Sequence, residues 1–297
     1  MSDMSTPNLA SSTDSTSASA PATQSEGRHA VAEAAARLAD AAETGTPCAP
    51  VRDLIGRDDL HAAYAVQRRN AEARTAAGAT VVGRKIGLTS PAVQAQLGVD
   101  QPDFGILFAD MAHPDGADVP ADSVLQPRVE AEVAFVLRAD LADGDLDDAQ
   151  VRTAVDYAVA ALEVCGSRIA GWDITFGDTV ADNASAGAYV LGAERKTLEQ
   201  IVPRDVEMSM TVDGQEVSTG NGAACLGDPI NALAWLARQA RDLGEPLRAG
   251  QVILSGALGP MKPIEPGAQV HAHITGLGSV SMTFGPSTSA PTATKEQ

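Results

Sequence analysis

RVEAEVAFVL, residues Arg128–Leu137, alternates between apolar side chains and two glutamates. Such alternation predicts a β-strand, because successive side chains of a strand point to opposite faces. Glu130 and Glu132 then lie on the same face, where two neighbouring carboxylates repel each other unless a positive group lies between them. The pair is either part of a cation site or the solvated face of an edge strand, a common arrangement in antiparallel sheets.

A third carboxylate, Glu163, lies in the segment ALEVCGSRI, 31 residues after Glu132. Hard divalent cations prefer oxygen ligands. We therefore interpret the three glutamates as a candidate oxygen site with no His or Cys nearby. This donor set suits Mg²⁺ or Mn²⁺ better than Zn²⁺.

The composition limits the classes of partner. The chain has 297 residues, of which 44% are hydrophobic, so it is long enough for one large domain or two small domains with buried cores. Its formal net charge of −18 predicts that it binds neither nucleic acid nor an anionic membrane. An anionic substrate would need a local positive centre, which a bound divalent ion supplies.

Three cysteines, Cys48, Cys165 and Cys225, are widely spaced and form no CxxC pattern. An odd and dispersed set predicts neither a disulfide framework nor a zinc site, and it fits the reducing cytoplasm. No apolar run reaches membrane-spanning length, and the N-terminus lacks the basic and apolar segments of a signal peptide. We therefore expect a cytoplasmic protein.

The two ends of the chain differ from its middle. Residues 1–26 and 286–297 are rich in Ser, Thr, Ala and Pro, and such segments bury too little apolar surface to offset the entropy of ordering. We predict two disordered tails around a single catalytic domain, residues 27–285. The first part of that domain, residues 27–80, is predicted to be helical.

Periodicity and turn residues predict the other elements. Helices are predicted over Arg28–Thr44, Asp58–Ala77, a short segment capped by Thr89 or Ser90 and ending at Gly98, Leu146–Ala161 and Pro229–Leu243. The end of the fourth helix is left open, because Leu162–Ile169 is also compatible with a strand that carries Glu163. Strands are predicted over Thr80–Leu88, a hairpin Val206–Val217 about Asp213-Gly214, Gln251–Ser255 and two strands within Ala268–Phe284. His271 and His273 share one face of the last segment, where a solvated face is favoured over a metal site.

Two further polar residues lie in or near predicted strands. Lys85, between two glycines of the strand Thr80–Leu88, is either a surface side chain that extends to water or a buried amine whose lowered pKa lets it move a proton. Asp103, in the turn-like segment Gln101–Gly105, is either a carboxylate placed at a strand start or simply a turn former.

The segment Asp178–Gly187, DTVADNASAG, consists of small and polar residues. We predict a turn-rich loop, which is either functional or an ordinary surface loop, since loops often carry functional residues. The sequence contains no P-loop, no GxSxG and no GxGxxG after a strand. These absences argue against the nucleotide-binding and serine-hydrolase classes that use those motifs.

Four collinear segments carry a resemblance to a known family. They are GRKIGLTSPAVQAQLGVDQPDFGILFADM, LQPRVEAEVAFVL, ALEVCGSRIAGWDITFGDTVADNASAGAYVLG and LSGALGPM. Together they resemble the 2-keto-4-pentenoate hydratases, which belong to the fumarylacetoacetate-hydrolase superfamily. With the segments between them they extend over residues 50–285, which makes the resemblance far more specific than one short motif.

The resemblance implies a set of site residues and a fold. It places Glu130, Glu132 and Glu163 as metal ligands and Lys85, Asp103 and Ser185 in the active site. It also implies an α+β fold like the C-terminal domain of fumarylacetoacetate hydrolase, with a mixed β-sandwich or roll, outer helices and a helical N-terminal segment. Homo-oligomers, up to pentamers or decamers, are expected on the same basis.

The implied reaction is the metal-dependent addition of water to 2-hydroxypenta-2,4-dienoate, a small 2-hydroxydienoate, to give 4-hydroxy-2-oxopentanoate. This step belongs to the meta-cleavage catabolism of aromatic compounds. Arg84 occupies a position where the resembled proteins often carry an aromatic residue, and this difference bears on the preference for the substrate tail rather than on the chemistry.

Three alternatives to the hydratase stay open. The sister enzyme 2-oxo-3-hexenedioate (4-oxalocrotonate) decarboxylase would use the same glutamates, and an extra arginine for the second substrate carboxylate would favour it. A C–C bond hydrolase of the superfamily is more distant. An idle partner subunit of a decarboxylase is disfavoured by the complete set of glutamates and by Lys85.

Overall fold

Helices and strands are mixed along the whole described chain. The structure is a computed structural model, and it describes residues 21–90, 94, 99 and 101–285. The α-helices of this part are α1 (Pro21–Thr44), α2 (Arg52–Ile55), α3 (Leu60–Ala76), α4 (Asp148–Ala154), α5 (Phe176–Ala181) and α6 (Pro229–Asp242). Short 3₁₀ segments lie at Ala109–Met111, Ala121–Ser123, Ala170–Trp172, Asn183–Ser185, Pro203–Asp205 and Gly222–Ala224.

The strands form two mixed sheets. They are β1 (Val81–Gly87), β2 (Asp103–Phe108), β3 (Ala112–Pro114), β4 (Asp118–Val119), β5 (Arg128–Leu137), β6 (Val155–Cys165), β7 (Ala188–Leu191), β8 (Glu207–Val212), β9 (Gln215–Asn221), β10 (Val252–Ala257), β11 (Lys262–Pro263), β12 (Gln269–Ile274) and β13 (Gly278–Phe284). The first sheet has the order β2-β1-β10-β5-β6-β7-β3, with β11 paired to β5, and the second has the order β4-β13-β12-β8-β9. The pairs β1–β10, β3–β7 and β4–β13 are parallel and the other pairs are antiparallel.

The main apolar core lies between the two sheets. Strand β13 packs against β6 and β7, and side chains of both sheets join one fully buried cluster that includes Val133, Leu162 and Val280. With aromatic residues at only 3% of the chain, this core is built chiefly from aliphatic side chains. Burial of such apolar surface is the dominant favourable contribution to folding. The predicted α+β fold with a mixed sandwich and outer helices is confirmed.

The N-terminal helices pack on a second apolar cluster. Helices α1, α3 and α5 contribute Leu38, Val66 and Val180 to it, each buried. Helix α3 begins after Asp59, whose carboxylate accepts a hydrogen bond from the Ala62 amide at 2.9 Å, as expected for an N-cap. Within the described residues, no helix is both long enough and apolar enough to cross a bilayer.

The start of the N-terminal helix differs from the prediction. Helix α1 begins at Pro21, so the predicted disorder is wrong for residues 21–26. Proline is favoured in the first turn of a helix, because backbone N–H groups there have no acceptor within the helix and proline has no N–H. The predictions for residues 1–20 and 286–297 lie outside the described residues, as does most of the predicted helix after Ser90.

The predicted helix Leu146–Ala161 is wrong over its second half. Helix α4 ends at Ala154, and strand β6 begins at Val155. The alanines of this segment favour a helix in isolation, but β6 is paired with both β5 and β7 and is buried on both faces. Tertiary pairing therefore outweighs local helix propensity.

The remaining element predictions agree with the structure. The hairpin turns at Asp213-Gly214 between β8 and β9, where both residues adopt positive φ. Helix α6 follows its N-cap Asp228. His271 and His273 are exposed on β12, and the His273 Nδ1 atom contacts the Ser279 hydroxyl at 3.1 Å. The two histidines thus lie on a solvated face, as predicted.

Candidate active site

Five neighbouring strands of the first sheet bring the predicted site residues together. Strands β2, β1, β10, β5 and β6 follow one another in the sheet. Glu130 lies directly opposite Glu163, and Lys85 lies opposite Gly105 in the strand that starts with Asp103. Residues opposite each other on paired strands point to the same face, so the carboxylates and the amine converge on one side of the sheet.

The three glutamates are buried. Glu130, Glu132 and Glu163 are 8%, 0% and 1% exposed. The Gly256 amide donates a hydrogen bond to Glu132 Oε2 at 2.7 Å, whereas Glu132 Oε1 and both oxygens of Glu163 have no hydrogen-bond partner. Burying a carboxylate without hydrogen bonds is costly, so these unpartnered oxygens fit a site for a cation.

Burial and mutual repulsion disfavour the charged forms of these carboxylates. Burial raises the pKa of Glu163 to about 7, and Glu130 adds to the rise while Lys85 opposes it. Burial also raises the pKa of Glu132 well above its usual value, and the charges of Glu163 and Glu130 add to that shift. A bound divalent cation would reverse these shifts because it stabilises the charged forms.

A thiol lies among the carboxylates. The Cys165 thiol contacts Glu130 Oε1 at 3.5 Å, and one ligand atom each from Glu130, Glu163 and Cys165 lie within 4.8 Å of one another. The expectation of a site without a cysteine nearby is therefore wrong. Cys165 follows Glu163 by two residues on β6, so the two side chains share a face. The sequence prediction left the start of this strand uncertain and missed this proximity.

Two overlapping sets of metal ligands are possible, one from the structure and one from the sequence prediction. The three ligand atoms that lie within 4.8 Å of one another belong to Glu130, Glu163 and Cys165, whereas the sequence prediction has Glu132 as the third ligand. For a hard ion we favour the three glutamates, because burial raises the pKa of the Cys165 thiol well above its usual value and keeps it protonated. Glu132 also retains a buried, unpartnered oxygen. The assignment of Glu130, Glu132 and Glu163 as ligands stays a prediction.

Lys85 is buried beside the carboxylates rather than exposed. Its side chain is 3% exposed, and its Nζ atom lies 3.4 Å from Glu163 Oε1 and donates a hydrogen bond to the Ala184 carbonyl at 3.0 Å. Burial by itself lowers the pKa of Lys85, but Glu163, Cys165, Glu130 and Asp103 together raise it well above its usual value. The predicted lowered pKa is therefore wrong for the protein without a bound cation.

A chain of polar side chains links Asp103 to Ser185. The Thr179 hydroxyl donates to Asp103 Oδ2 at 3.3 Å and lies 3.4 Å from the Ser185 hydroxyl. All three residues are buried, and Asp103 Oδ1 has no hydrogen-bond partner. Burial raises the pKa of Asp103, while Lys85 and Thr179 oppose the rise. Asp103 is thus a buried carboxylate at the start of β2 and not merely a turn former.

A glycine lies close to both Lys85 and Asp103. A Cβ atom on Gly87 would lie 2.2 Å from Asp103 Oδ1 and 3.4 Å from Lys85 Nζ. Real Cβ atoms do not approach an oxygen so closely, so any larger residue would displace the carboxylate. The absence of a side chain at Gly87 therefore lets Asp103 Oδ1 pack against the β1 backbone on the side where Lys85 Nζ lies.

The segment that carries Ser185 is buried, so the alternative of an ordinary surface loop is wrong. Helix α5 and the 3₁₀ segment Asn183–Ser185 fill most of it. Asp178, 0% exposed, accepts hydrogen bonds from the amides of Val51 and Arg52 at 2.9 Å. Small side chains allow this close packing, and buried partners satisfy the polar groups.

Three consecutive residues of this segment adopt left-handed backbone conformations. The φ angles of Asn183, Ala184 and Ser185 are 56°, 49° and 57°. Such conformations are costly for residues other than glycine and persist only where surrounding contacts hold them. Here the Asn183 side chain accepts from the Ile106 amide at 2.7 Å and donates to the Ile106 carbonyl at 2.9 Å. These bonds fix the Ala184 carbonyl against Lys85.

Arg84 lies on the opposite face of β1 from Lys85. It is 5% exposed and pairs with Glu245 at 2.8 Å, where it lines a cavity of about 430 Å³ together with Tyr64 and Phe104. The expected influence of Arg84 on the substrate tail is therefore not supported by its position. The orientation of Arg84 could have been predicted from the sequence, because adjacent residues of a strand point to opposite faces of the sheet.

Thr179 is a site residue that the sequence interpretation missed. We expect Thr179→Val to lower kcat about 10–100-fold, because a lost hydrogen bond to a charged group costs ~1.5–3 kcal/mol. The limb of the pH–rate profile that reports Asp103 should shift to higher pH, since Thr179 lowers the pKa of that carboxyl group. Thr179→Ser should retain activity and the profile, and exposed Thr153→Val is the control. An unchanged profile in Thr179→Val would contradict this role.

Comparison with known proteins defines the class of the chain. The Fumarylacetoacetate (FAA) hydrolase C-terminal family matches residues 69–284. The 2-keto-4-pentenoate hydratase of Burkholderia vietnamiensis is 53% identical over 256 residues, which cover 86% of this chain and 98% of that relative. The 2-keto-4-pentenoate hydratase of Paraburkholderia xenovorans is 52% identical over 257 residues, which cover 85% and 94%.

A solved structure with the same fold contains a divalent metal. The 4-oxalocrotonate decarboxylase from Pseudomonas putida G7, complexed with magnesium and adipate, has a TM-score of 0.83 at 32% identity over 86% of this chain and 97% of its own. The same decarboxylase was also solved with calcium and acetate. A divalent metal is thus bound by a structural relative, and this chain has buried carboxylates that could hold one.

The mixed sandwich and the match over residues 69–284 define a protein of the FAA hydrolase class. Within that class, sequence identity above 50% over nearly the whole length of the relatives identifies the family. The chain belongs to the 2-keto-4-pentenoate hydratase family. Its similarity to the decarboxylase is more distant.

Proposed function

We propose that the chain is a hydro-lyase that adds water to 2-hydroxypenta-2,4-dienoate (2-oxopent-4-enoate) and forms 4-hydroxy-2-oxopentanoate. The curated relatives that support this activity are 51–53% identical over about 85% of the chain. One structural observation carries the proposal. Buried oxygens of Glu132 and Glu163 that accept no hydrogen bond lie in the same site as Lys85 and Asp103.

Mg²⁺ or Mn²⁺ is the proposed cofactor, held by Glu130, Glu132 and Glu163. The donor set of carboxylate oxygens fits such hard ions, and the unpartnered oxygens are available for coordination. When bound, the ion supplies a Lewis acid that polarises the 2-oxygen of the substrate and offsets the charge of its carboxylate. The acidic chain itself offers little attraction to an anionic substrate.

Lys85 and Asp103 are the proposed proton-transfer pair. To become a 2-oxo-3-enoate, the dienol must gain a proton at C5 and lose the proton of its 2-hydroxyl. Water must then lose a proton as it adds at C4, and C3 must gain one. Lys85 Nζ and Asp103 Oδ1 both lie close to Gly87, and Oδ1 has no hydrogen-bond partner and can accept a proton. An amine and a carboxylate in one pocket can divide acid and base roles between them.

Ser185 is proposed to orient the substrate or the water. Its hydroxyl is buried and contacts the Thr179 hydroxyl at 3.4 Å. A hydroxyl can both donate and accept hydrogen bonds, so Ser185 can contact either the substrate or the attacking water while Thr179 holds Asp103. Ser185 is only 4% exposed, which limits the access of bulk water to this group.

The proposal predicts metal-dependent hydratase activity. Metal-free protein and protein loaded with Mg²⁺ are given enzymatically generated 2-hydroxypenta-2,4-dienoate, while the dienol absorbance is followed and the product is identified. We expect loss of the dienol and formation of 4-hydroxy-2-oxopentanoate only with the metal. No turnover of the dienol, together with CO₂ release from 2-oxo-3-hexenedioate, would overturn the hydratase in favour of the decarboxylase. The orientation of Arg84 away from the site disfavours that outcome.

Three broader features belong to the same proposal. The core shared by the two sheets supports one catalytic domain over residues 27–285. Three free cysteines support a reducing cytoplasmic location. We also propose that the chain forms a homo-oligomer, acts on small-molecule substrates and does not bind nucleic acid. Light scattering of the purified protein measures its mass in solution and tests the oligomer.

A further inference from the structure

The Cys165 thiol lies on the same face of the sheet as the glutamates of the candidate site, but it has no role in the proposed hydration. It lies at the end of β6, diagonally across from Glu130, and its Sγ atom is 3.5 Å from Glu130 Oε1. Glu163, directly opposite Glu130, completes a group whose three ligand atoms lie within 4.8 Å of one another. This separation is small enough for one ion to contact all three atoms.

The surroundings of the thiol provide independent support for a ligand. Glu163 is 1% exposed and neither of its oxygens accepts a hydrogen bond; Lys85 Nζ lies 3.4 Å from Oε1, and Oε2 is left for a ligand. Cys225 offers a contrast within the same chain, because its buried thiol donates to the Ser255 carbonyl at 2.9 Å and is not part of the three-ligand group. Both thiols are buried, so burial does not distinguish Cys165. What distinguishes it is its position beside the carboxylates of Glu130 and Glu163.

Ligand softness separates the two possible donor sets. Three glutamate carboxylates suit Mg²⁺ or Mn²⁺, whereas a thiolate with carboxylates suits softer ions such as Cd²⁺ or Zn²⁺. Both sets include Glu130 and Glu163, so one cation at this position excludes the other. The two binding modes differ in whether Glu132 or Cys165 supplies the third ligand.

We propose that Cys165, with Glu130 and Glu163, forms a second binding mode for a soft divalent cation that competes with the hard cofactor. Coordination converts the thiol to a thiolate and releases its proton to solvent. The inference rests on the proposed metal site, because it uses two of its three glutamates. It predicts that the chain binds soft ions more tightly than a site made of carboxylates alone.

Cadmium provides a direct spectroscopic test. Cd²⁺ is titrated into the metal-free full chain while the ultraviolet sulfur-to-metal charge-transfer absorption is recorded, and Mn²⁺ binding is measured separately from the electron paramagnetic resonance of free Mn²⁺. We expect the wild-type chain and Cys225→Ala to show the absorption at one equivalent of Cd²⁺. Cys165→Ser should lose it and bind Cd²⁺ about 10–100-fold more weakly, while retaining Mn²⁺ binding.

The outcomes separate this inference from the proposed function. Mn²⁺ binding without a cadmium–sulfur absorption, or an absorption that survives in Cys165→Ser, would overturn the second binding mode and leave the hydratase site intact. Failure of the wild-type chain to bind either ion would overturn the metal site itself and both proposals with it. Retained Mn²⁺ binding in Cys165→Ser also shows that this variant is folded.

Discussion

Glu132→Gln is expected to lower hydratase turnover about a thousandfold and, at the same time, to raise the thermal stability of the metal-free protein. The activity falls because the Lewis-acid contribution of a metal amounts to several kcal/mol, and each ~1.4 kcal/mol is a tenfold change in rate. The stability rises because a fully buried carboxylate next to Glu130 and Glu163 is replaced by a neutral amide. Glutamine can still accept the hydrogen bond from Gly256.

The stability gain of Glu132→Gln should depend on pH. The pKa of Glu132 in the folded chain lies above its ordinary value of 4.5. The folded state therefore retains a proton that the unfolded state loses as the pH rises above that value, and the stability of the wild-type chain falls. Glutamine does not titrate, so its advantage is absent below the ordinary glutamate pKa and grows as the pH rises through the folded-state pKa.

Thermal unfolding with and without Mn²⁺ measures both effects. The melting temperature should rise by about 2–4 °C for each kcal/mol gained, and the stabilisation by Mn²⁺ seen in the wild-type chain should be lost. The exposed Glu216→Gln on β9 is the matched control and should change neither quantity. A Glu132→Gln protein that keeps full turnover and full Mn²⁺ stabilisation would remove Glu132 from the ligand set.

Lys85→Met is expected to lower kcat about 10²–10⁴-fold, the usual contribution of a positioned acid or base. Mn²⁺ binding should become tighter in the same variant, because the ammonium group that lies 3.4 Å from Glu163 no longer competes for that carboxylate. Opposite effects on turnover and metal affinity distinguish a proton-transfer residue from one that merely supports the metal.

The measurements are steady-state kinetics and a Mn²⁺ titration on the same preparation. Lys196→Met is the control, because Lys196 pairs with Glu194 at the surface, away from the site. Full turnover by Lys85→Met would contradict the proton-transfer role. Tighter Mn²⁺ binding in an inactive variant also shows that the loss of activity is not a loss of fold.

Much of the site geometry could be predicted because strands have simple periodicity. Alternation placed Glu130 and Glu132 on one face, and the pairing of β5 with β6 puts Glu163 opposite Glu130. The same rule applied to β1 would have shown that Arg84 and Lys85 face opposite ways. The catalytic roles and the metal-ligand set stay predictions until the variants are measured.

What could not be predicted depends on long-range contacts. The Ala-rich sequence before Glu163 forms a strand only because two neighbours pair with it, and its uncertain start concealed Cys165. The segment Asp178–Gly187 resembles a surface loop in composition, but buried partners such as Val51 and Arg52 satisfy its polar groups. The upward shift of the Lys85 pKa follows from the number of acids around it, which only the assembled sheet reveals.

The hydrogen bonds of Asn183 also bear on how the molecule avoids aggregation. Strand β2 ends the strand order of its sheet, and an open edge of this kind can recruit a strand from another chain. The side-chain amide of Asn183 occupies both backbone groups of Ile106 that such a strand would use. Variants that loosen this segment should therefore lose solubility together with activity, because one side chain protects the edge and holds the left-handed turn against Lys85.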